Sequence, residues 1–595
     1  MAAELKHVHA DNIATMYTST SVAMIFTALT GVVTVLFDGI LTSRFLGADI
    51  YSGIALLRPF TSVVLMLASF LSTGCSFVCS HRIGAGEKDE ANQAFNLSVF
   101  LGLGLSALLI LFSFVFPDTL LKLCGVSLTK LPELHPHMYA YLRGYTLGLP
   151  AIILAQIFSP ILVMDNGKKL FSISSALLCV VNILGDILNA LVLHGGAFGM
   201  GLSSSCAYMV QLLILLLHFT RKGSFFRISP KLFRLDSFRE IVRGGAPSFV
   251  KRLGSTLRDI FINHLNLTVA LSTAAIAARG IQGDLFQPLF CISTGLGRTL
   301  VTMSGMYYGT GDRQGLKRLY SYAMKFGIQL TGAVSLAVFV FAGPLARIYT
   351  DDPEVIALTV FSVRWMAAGL ILDTVFCLIQ HYLQGIGNMK LLNVMTLCER
   401  FAVPVVTAWV FGMLYGSKGI LASVAITKFI LVLILLIYVC IRCRGLPKSW
   451  DDVMFLPEDF GGSEADNLYA EIRTVEDVVR ESERAYAFCL EHGADRRKAY
   501  WLSLCVEEMA INILDHAREH DHKSVCADFR LYVSDGRICF SLRDLSCQFD
   551  PTAFYTLHLA DSPEAHIGIR MVTNLAKEIR YFSAFNSNNL ILYID

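Results

Sequence analysis

Charged and amide side chains inside long apolar segments are the first candidates for chemistry in this 595-residue sequence. Asp38 lies in one such segment, and Asn182 and Asp186 lie four residues apart in another, where on a helix they would share a face. A charge at bilayer depth costs at least about 2.5–3.5 kcal/mol, so it usually faces a cavity, a partner or an ion. Such a cluster of oxygens could bind Na⁺ or exchange H⁺, and the alternative is a hydrogen-bonded contact between helices.

The C-terminal part of the sequence carries a second group of polar residues. Glu508 and Asn512 lie four residues apart in a predicted helix, where Asn512 could hold Mg²⁺ and Glu508 could orient a water or hydroxyl. Taken alone, such a stripe is usually only a solvated helix face. Further along, a predicted strand ends at Asp544, and Gly568 opens a predicted helix whose N-terminus could hold a phosphate.

The composition indicates that most of the chain is embedded in a membrane. Of its residues, 54% are hydrophobic and 16% are charged, and the mean hydropathy is +0.56. These values exclude a wholly soluble protein of this length. The net charge of +2 points to no particular partner, and we expect no nucleic acid to bind. The 15 cysteines show no paired spacing of metal ligands and are consistent with reduced thiols.

An internal repeat organises the apolar part. Four pairs of residues share an offset of 221 positions: Asp38 and Asp259, Arg58 and Arg279, Arg143 and Arg364, and Gly148 and Gly369. Asp259 and Asp373 are the weaker candidates for a cation site in the second copy. A repeat of this size in an apolar chain predicts a transporter with two lobes.

About twelve apolar runs, each near the length that crosses a bilayer, lie between residues 20 and 444. Six runs per copy is an even number, so both copies enter the membrane from the same side and are parallel repeats. Basic residues concentrate in alternate loops, which places both termini in the cytoplasm. We therefore expect a multi-pass protein of a bacterial-type cytoplasmic membrane.

The sequence divides into five parts. They are an N-terminal cytoplasmic tail (1–19), a first lobe (20–220), an inter-lobe loop with a second lobe (221–444), a linker (445–466) and a C-terminal domain (467–595). In the last part, alternating strand and helix patterns predict a small α/β sandwich.

Residues 20–442 resemble the multidrug and toxic compound extrusion (MATE) family. The resemblance is carried by the duplicated segment 38–55, Gly84-Ala-Gly86-Glu87, Gly148-Leu-Pro150, Asn182-Ile-Leu-Gly-Asp186 and Gly385-Ile-Gly387-Asn388. It implies two six-helix lobes in a V shape, alternating access, and cation-coupled export of amphipathic organic compounds. It also implies that Asp38, Asn182 and Asp186 form a cation site, and that Asp373 occupies the place of an acid found in some members.

Two positions depart from this family pattern. Cys206 stands where the family usually has Thr, so Ser203 or Ser205 is expected to supply the oxygen in its place. This leaves the coupling ion open between Na⁺ and H⁺. In the seventh run, Lys251 lies near a point where some members carry an acid.

Residues 467–595 resemble the GHKL ATP-binding fold, in the branch of the anti-sigma-factor serine kinases. Glu508 and Asn512 match the helix motif, Asp544 matches the aspartate that binds adenine, and Gly568 matches one glycine of a phosphate loop. The resemblance implies bound ATP, with Mg²⁺ held through Asn512 and Glu508 in the catalytic position.

Two losses in this domain bear on catalysis. Ser546 and His566 stand where the family usually has glycine. We therefore expect that ATP binds and that serine-kinase activity is weak or absent.

The sequence as a whole predicts a Na⁺- or H⁺-coupled antiporter for small amphipathic organic compounds, regulated by a cytoplasmic nucleotide-binding domain. The ion gradient should drive transport, because the tail lacks the Gly-x-x-x-x-Gly-Lys loop of transport ATPases. Two alternatives remain open at this point. One is a membrane sensor whose tail acts as a serine kinase or binds a regulatory protein, and the other is a flippase for lipid-linked substrates.

Overall fold

The computed structural model describes residues 10–46, 50, 54, 56–124, 134–220, 224–265, 273–457, 459–463, 465–520, 526–534, 537–546, 550, 570, 572, 577–584 and 587–594. Gly568 and most of the helix predicted over 567–577 lie outside these residues.

The first lobe is built from long helices joined by short turns. They are α1 (Ala10–Leu41, continued as a π-helix over Thr42–Leu46), α2 (Arg58–Gly84), α3 (Lys88–Val115), the short α4 (Pro117–Leu123), α5 (His135–Thr146), α6 (Leu149–Met164), α7 (Lys168–Leu188, continued as a π-helix over Asn189–Leu193) and α8 (Gly196–Phe219). Proline in the first turn of α2, α5 and α6 suits a helix start, because that position needs no N–H donor. α1 begins before the predicted start at residue 20, because Ile13, Met16 and Tyr17 are buried and Tyr17 donates to the carbonyl of Leu296 at 3.0 Å.

The second lobe follows the same plan. Its helices are α9 (Phe238–Leu265), α10 (Thr273–Gly309), α11 (Arg313–Val340), the short α12 (Ala342–Arg347), α13 (Pro353–Gly385), α14 (Met389–Leu397, continued as a π-helix over Cys398–Ala402) and α15 (Val403–Arg442). The side chains of Asp312 and Asp352 cap α11 and α13. α15 is divided by a kink at Gly416, where φ is 59° and ψ is −137°.

Eight of the described helices are long and apolar enough to cross a membrane, and a ninth span is gained if α5 and α6, bent by 49°, count as one. This count takes Met389–Arg442 as a single span, although the kink at Gly416 divides it. It omits α9 and α10, which have sufficient length but are more charged or less apolar. With these segments included, the described helices give the predicted two groups of six.

The C-terminal domain is a five-stranded antiparallel sheet with two helices on one face. Its elements are β1 (Asn467–Ile472), β2 (Ala527–Ser534), β3 (Arg537–Asp544), β4 (Glu578–Ala584), β5 (Ser587–Ile594) and the helices α17 (Val475–Glu491) and α18 (Arg496–His520), preceded in the linker by the short α16 (Trp450–Val453). The strand order is β1-β2-β3-β5-β4. A capping box between Thr474 and Asp477 starts α17. Phe529, Phe540 and Leu542 pack under the helices, so the predicted α/β sandwich is confirmed.

The opposite face of the sheet lies on the helical bundle. Side chains alternate between the faces of a sheet, so one cross-strand row presents Tyr469, Arg530, Ile591 and Arg580 on the same side. Phe582 and Ile591 on this side join the buried apolar cluster of the helices. The domain therefore uses one face for its own core and the other for docking.

The two lobes touch each other at the ends that lie nearest the C-terminal domain. A side chain at Gly84 would clash with the Met306 carbonyl and come within 3.0 Å of the Gly309 Cα. Arg82 of α2 also forms an ion pair with Glu240 of α9 at 3.2 Å. Glycine at both positions is what lets α2 and α10 meet backbone to backbone, and we call this contact the seam.

Candidate functional site

The structure brings the predicted first-lobe acids together. α1 packs against α7, and the carboxyl groups of Asp38 and Asp186 lie within hydrogen-bonding reach of each other. Asn182 lies one turn before Asp186, and both are buried, at 2% and 0% exposure. Ser203 of α8 donates to the Asn182 carbonyl at 2.9 Å and is the nearest predicted hydroxyl. We call Asp38 and Asp186 the acid pair.

Several oxygen atoms of the acid pair and of Asn182 are buried without a hydrogen-bond partner among the described residues. One carboxylate oxygen of Asp38, both of Asp186 and the amide oxygen of Asn182 accept no well-formed hydrogen bond from the described residues. Unsatisfied buried oxygens are costly, and carboxylate and amide oxygens are the ligands that hard cations prefer. The donor set therefore fits a bound Na⁺, or a proton shared between the two carboxyl groups.

The other predicted hydroxyl does not join this cluster. Ser205 is buried but donates to the carbonyls of Gly144, at 2.7 Å, and Tyr145, at 3.2 Å. Cys206 is exposed. Ser204, which sequence reasoning missed, instead lies 3.4 Å from the Asn182 amide nitrogen.

Asp373 belongs to a separate network in the second lobe. Lys428 lies 2.6 Å from Asp373 and 2.7 Å from Glu399, and Arg400 lies 3.2 Å from Glu399. We call these four residues the second-lobe ion network. A lysine ammonium already neutralises Asp373 there. Sequence reasoning missed Glu399 and Lys428, although the rule that selected Asp38, a charge within an apolar run, applies to both.

A cavity of about 650 Å³ lies between the two lobes. The first lobe lines it with hydroxyl groups such as Ser69 and Thr73, and the second lobe contributes Lys251, Arg298 and Arg400. The acid pair is not part of its lining. The acid pair and the cavity are therefore separate places in this molecule.

Two family models match the chain. The MatE model covers residues 20–188 and 247–410, which is more than half of the chain. The chain belongs to the MatE family. A second model, that of a histidine kinase-like ATPase domain, covers residues 469–594, so this MatE protein carries a C-terminal domain of the GHKL type.

Relatives and solved structures agree with this assignment. The Multidrug export protein MepA of Staphylococcus saprophyticus is 24% identical over 405 residues, covering 66% of this chain and 87% of that protein. The Probable multidrug resistance protein NorM of Photorhabdus laumondii is 21% identical, covering 61% and 80%.

Two structures share the fold of the MatE part. One is an outward-facing multidrug resistance MATE family transporter of the MOP superfamily, with a TM-score of 0.67 at 20% identity, covering 72% of this chain and 95% of that one. The other is a MOP superfamily transporter from Pyrococcus furiosus, described as having a binding pocket of reverse polarity, with a TM-score of 0.65 at 20% identity and the same coverage.

In the GHKL-type domain, Asp544 ends β3 on the face that carries the helices and is 2% exposed. It accepts hydrogen bonds from the backbone N–H of Ser546, at 2.8 Å, and the amide of Asn588, at 3.0 Å. Glu508 and Asn512 are half-buried on α18, which packs over the same face. Gly568 lies outside the described residues. The described part thus places three of the four predicted ATP-site residues on one side of the sheet.

The docking face of this domain holds corresponding turns of the two MatE lobes. Arg580 donates to the carbonyl of Ala85, and Arg530 donates to the carbonyls of Thr310, at 3.1 Å, and Gly311, at 2.9 Å. Ala85 and Thr310 occupy equivalent places in the repeated Gly-x-Gly-acid turns that follow α2 and α10. The domain therefore contacts both lobes next to the seam.

Arg543 adds a second buried arginine to this contact. Its guanidinium lies over the Tyr307 ring at 4.4 Å and 3.9 Å from Asp312, and Tyr469 donates to Asp312 at 3.3 Å. Burial alone would lower the pKa of Arg543, but Tyr307 and Asp312 hold it above its ordinary value, so the group stays charged. Burial, followed by the charge of Asp312, raises the pKa of Tyr469, which stays neutral and can donate.

Proposed function

We propose that this MatE protein is an antiporter, driven by Na⁺ or H⁺, that exports small amphipathic organic compounds. The acid pair carries the proposal, because two carboxyl groups in contact inside an apolar lobe cannot both stay charged without a cation between them. The similarity to MepA, a multidrug export protein, supports export as the direction of transport.

In this proposal the ion and the organic compound bind at different places. The ion, or a proton, neutralises Asp38 and Asp186 and lets α1 stay packed against α7. Its departure leaves two like charges side by side, which favours a different arrangement of these helices. The central cavity is lined by both lobes, so a movement of α1 and α7 that separates the lobes changes access to it. The two sites would then be coupled reciprocally.

The test is transport by the purified full-length protein in vesicles, with Na⁺ and H⁺ gradients imposed separately. We expect one gradient to drive uptake of a fluorescent amphipathic compound, and we expect Asp38→Asn and Asp186→Asn each to abolish that uptake. Asp284→Asn is the matched control, because Asp284 is an exposed acid within α10, and it should transport like the wild type. Full uptake by both acid-pair variants would exclude this coupling site.

We further propose that the GHKL-type domain binds ATP and regulates transport. Asp544 would accept from the adenine amino group, and Asn512 would hold Mg²⁺. Arg543 and Asp544 are neighbours on β3, and their side chains point to opposite faces of the sheet. The Arg543 side chain points toward the MatE lobes, and the Asp544 side chain points toward the face that carries the helices. A change in the position of β3 on nucleotide binding would therefore reach Asp312 through a single peptide unit.

Calorimetry on the full-length protein tests nucleotide binding. Mg-ATP should release measurable heat, and Asp544→Ala should remove it, because an unpaired buried group at the adenine edge costs about 1–3 kcal/mol. Glu483→Ala, which changes an exposed acid of α17, is the control. Binding without any change in the transport rate would leave the domain as a nucleotide-binding module and would refute regulation.

The same proposal places the GHKL-type domain in the cytoplasm. It lies against turns flanked by Arg82, Lys88 and Arg313, and basic loops stay on the inner side of bacterial membranes. A membrane-impermeant thiol reagent applied from outside should modify Asp351→Cys and miss Ser463→Cys. Labelling of the second variant alone would reverse the orientation.

A further inference from the structure

The walls of the central cavity are positively charged. Lys251, Arg252, Arg298 and Arg400 line it, together with His381, and all five come from the second lobe. Neither aspartate nor glutamate occurs among the described residues of the lining. Cationic compounds would meet like charges in such a cavity.

The acids next to the cavity do not offset these charges. Glu399 and Asp373 are engaged by Lys428 and Arg400 in the second-lobe ion network. Within the described part of the chain, Lys251 and Arg298 form no ion pair. Glu399 lies near Lys251, but Arg298 and Arg400 lie near it as well. The four lysine and arginine residues of the wall and Lys428 are five cationic groups, against the two carboxylates of Asp373 and Glu399, so the excess is positive. Like charges that share one cavity wall repel one another, so a bound anion is favoured there.

The rest of the lining suits an amphipathic molecule with polar groups. Hydroxyl groups from α2, including Ser62, Ser69 and Thr73, face the cations across the cavity, and the Arg252 guanidinium already reaches the Ser62 hydroxyl at 2.8 Å. Leu65, Phe171 and other apolar side chains cover the remaining wall. The volume of about 650 Å³ is in the range of cavities that enclose drug-sized ligands.

We propose that the central cavity binds amphipathic organic anions, in which a carboxylate or phosphate group contacts Lys251 and Arg298 while an apolar body lies against the other walls. This inference rests on the proposed transport function and specifies its substrate class. Guanidinium groups bind both kinds of oxyanion through paired hydrogen bonds, so the anion can belong to a soluble compound or to a lipid headgroup.

Direct binding to the purified full-length protein tests the charge preference without requiring transport. Fluorescein, an anion at neutral pH, and a cationic rhodamine ester share the same xanthene ring and differ mainly in charge. Fluorescence anisotropy should show tighter binding of fluorescein. Arg298→Gln and Lys251→Gln should each weaken it roughly tenfold to a hundredfold, the range for a lost hydrogen bond to a charged group.

Two further variants separate charge from folding. Arg298→Lys keeps the positive charge and should retain most of the fluorescein affinity. Arg364→Gln removes an exposed arginine of α13 that stacks on Phe339 away from the cavity, and it should bind like the wild type. Tighter binding of the rhodamine ester, or unchanged fluorescein affinity in both Arg298→Gln and Lys251→Gln, would overturn the inference.

Vesicle experiments distinguish this inference from the transport proposal. Gradient-driven uptake of the rhodamine ester but not of fluorescein would leave export standing and refute the anion preference. Fluorescein binding without gradient-driven movement of either dye would keep the site and refute coupled export. Vesicles with fluorescent phosphatidylglycerol form the second arm, because its gradient-driven movement between leaflets would identify a lipid headgroup as the source of the anion.

Discussion

The two lobes of this MatE protein share one helical plan but treat buried acids in opposite ways. In the first lobe, Asp38 and Asp186 lie against each other, and no described basic side chain forms an ion pair with either. In the second lobe, Lys428 bridges Asp373 and Glu399 at 2.6 and 2.7 Å. One lobe leaves its carboxylates without a counter-charge among the described residues, and the other pairs them with a lysine.

This difference shows that an acid within a membrane span is not by itself an ion site. Asp38 and Asp373 both meet the rule that selects rare intramembrane charges. Their partners separate them, because a lysine supplied by the kinked helix α15 fills the place of a cation beside Asp373.

The largest stability contrast should come from one substitution in each lobe. Glu399→Gln leaves Arg400 and part of the Lys428 charge buried without a partner, and breaking such a pair typically costs about 3–5 kcal/mol. Asp186→Asn removes a like-charge contact and should not lower stability. Thermal unfolding of the purified proteins measures both, with the exposed Glu354→Gln as control. Equal losses in the two lobes would contradict the comparison.

A smaller effect is expected where the GHKL-type domain docks on the two lobes. On the second lobe, Arg543→Ala removes a buried charged contact and should weaken docking by about 1.5–3 kcal/mol. On the first lobe, Asn166→Ala removes a neutral hydrogen bond to the Ser583 hydroxyl at 2.7 Å, worth about 0.5–1.5 kcal/mol. Hydrogen exchange at the turns around Gly86 and Gly311 reports docking on each lobe separately. The reverse order of effects would show that the first lobe holds the domain more firmly.

The smallest effect is expected in the linker, where Lys317 contacts Asp451. Burial raises the pKa of Asp451, but the hydrogen bond and charge of Lys317, with Arg313, bring it below its ordinary value. A carboxyl group whose pKa is lowered by folding stabilises the fold at pH values above the ordinary carboxyl pKa. This contribution is lost as the pH falls through the lowered pKa. Because the pair is partly exposed, Lys317→Ala should cost only about 0–1 kcal/mol. The difference in unfolding temperature from the wild type should vanish in acid, and a difference that grows there would disprove the assignment.

Sequence reasoning found the fold and the first-lobe acids because both leave local signals. Apolar runs of bilayer length predicted the helices, and the spacing of Asn182 and Asp186 predicted a shared face. The contact of Asp38 with Asp186 joins distant helices, so only the resemblance to a known family could suggest it.

The remaining features depend on tertiary contacts that carry no local pattern. Ser203 and Ser205 are two residues apart on one helix, and the sequence could not decide which of them faces Asn182. Lys251 was noticed as a departure from the family pattern, but its place in a cavity wall with Arg298 and Arg400 required the packing of three helices. The docking of the GHKL-type domain was missed for the same reason.

The two arginines beside the seam have a mechanical consequence. Arg530 and Arg580 lie in one cross-strand row, three strand spacings apart, so their backbones are held roughly 14 Å from each other. A hydrogen-bonded sheet cannot stretch, whereas the carbonyls of Ala85 and Thr310 that they hold must move apart whenever the lobes separate. The spacing of the two arginines is fixed by the sheet. The domain can therefore bind both lobes at one separation only, and at any other separation it must lose its contact with one of them.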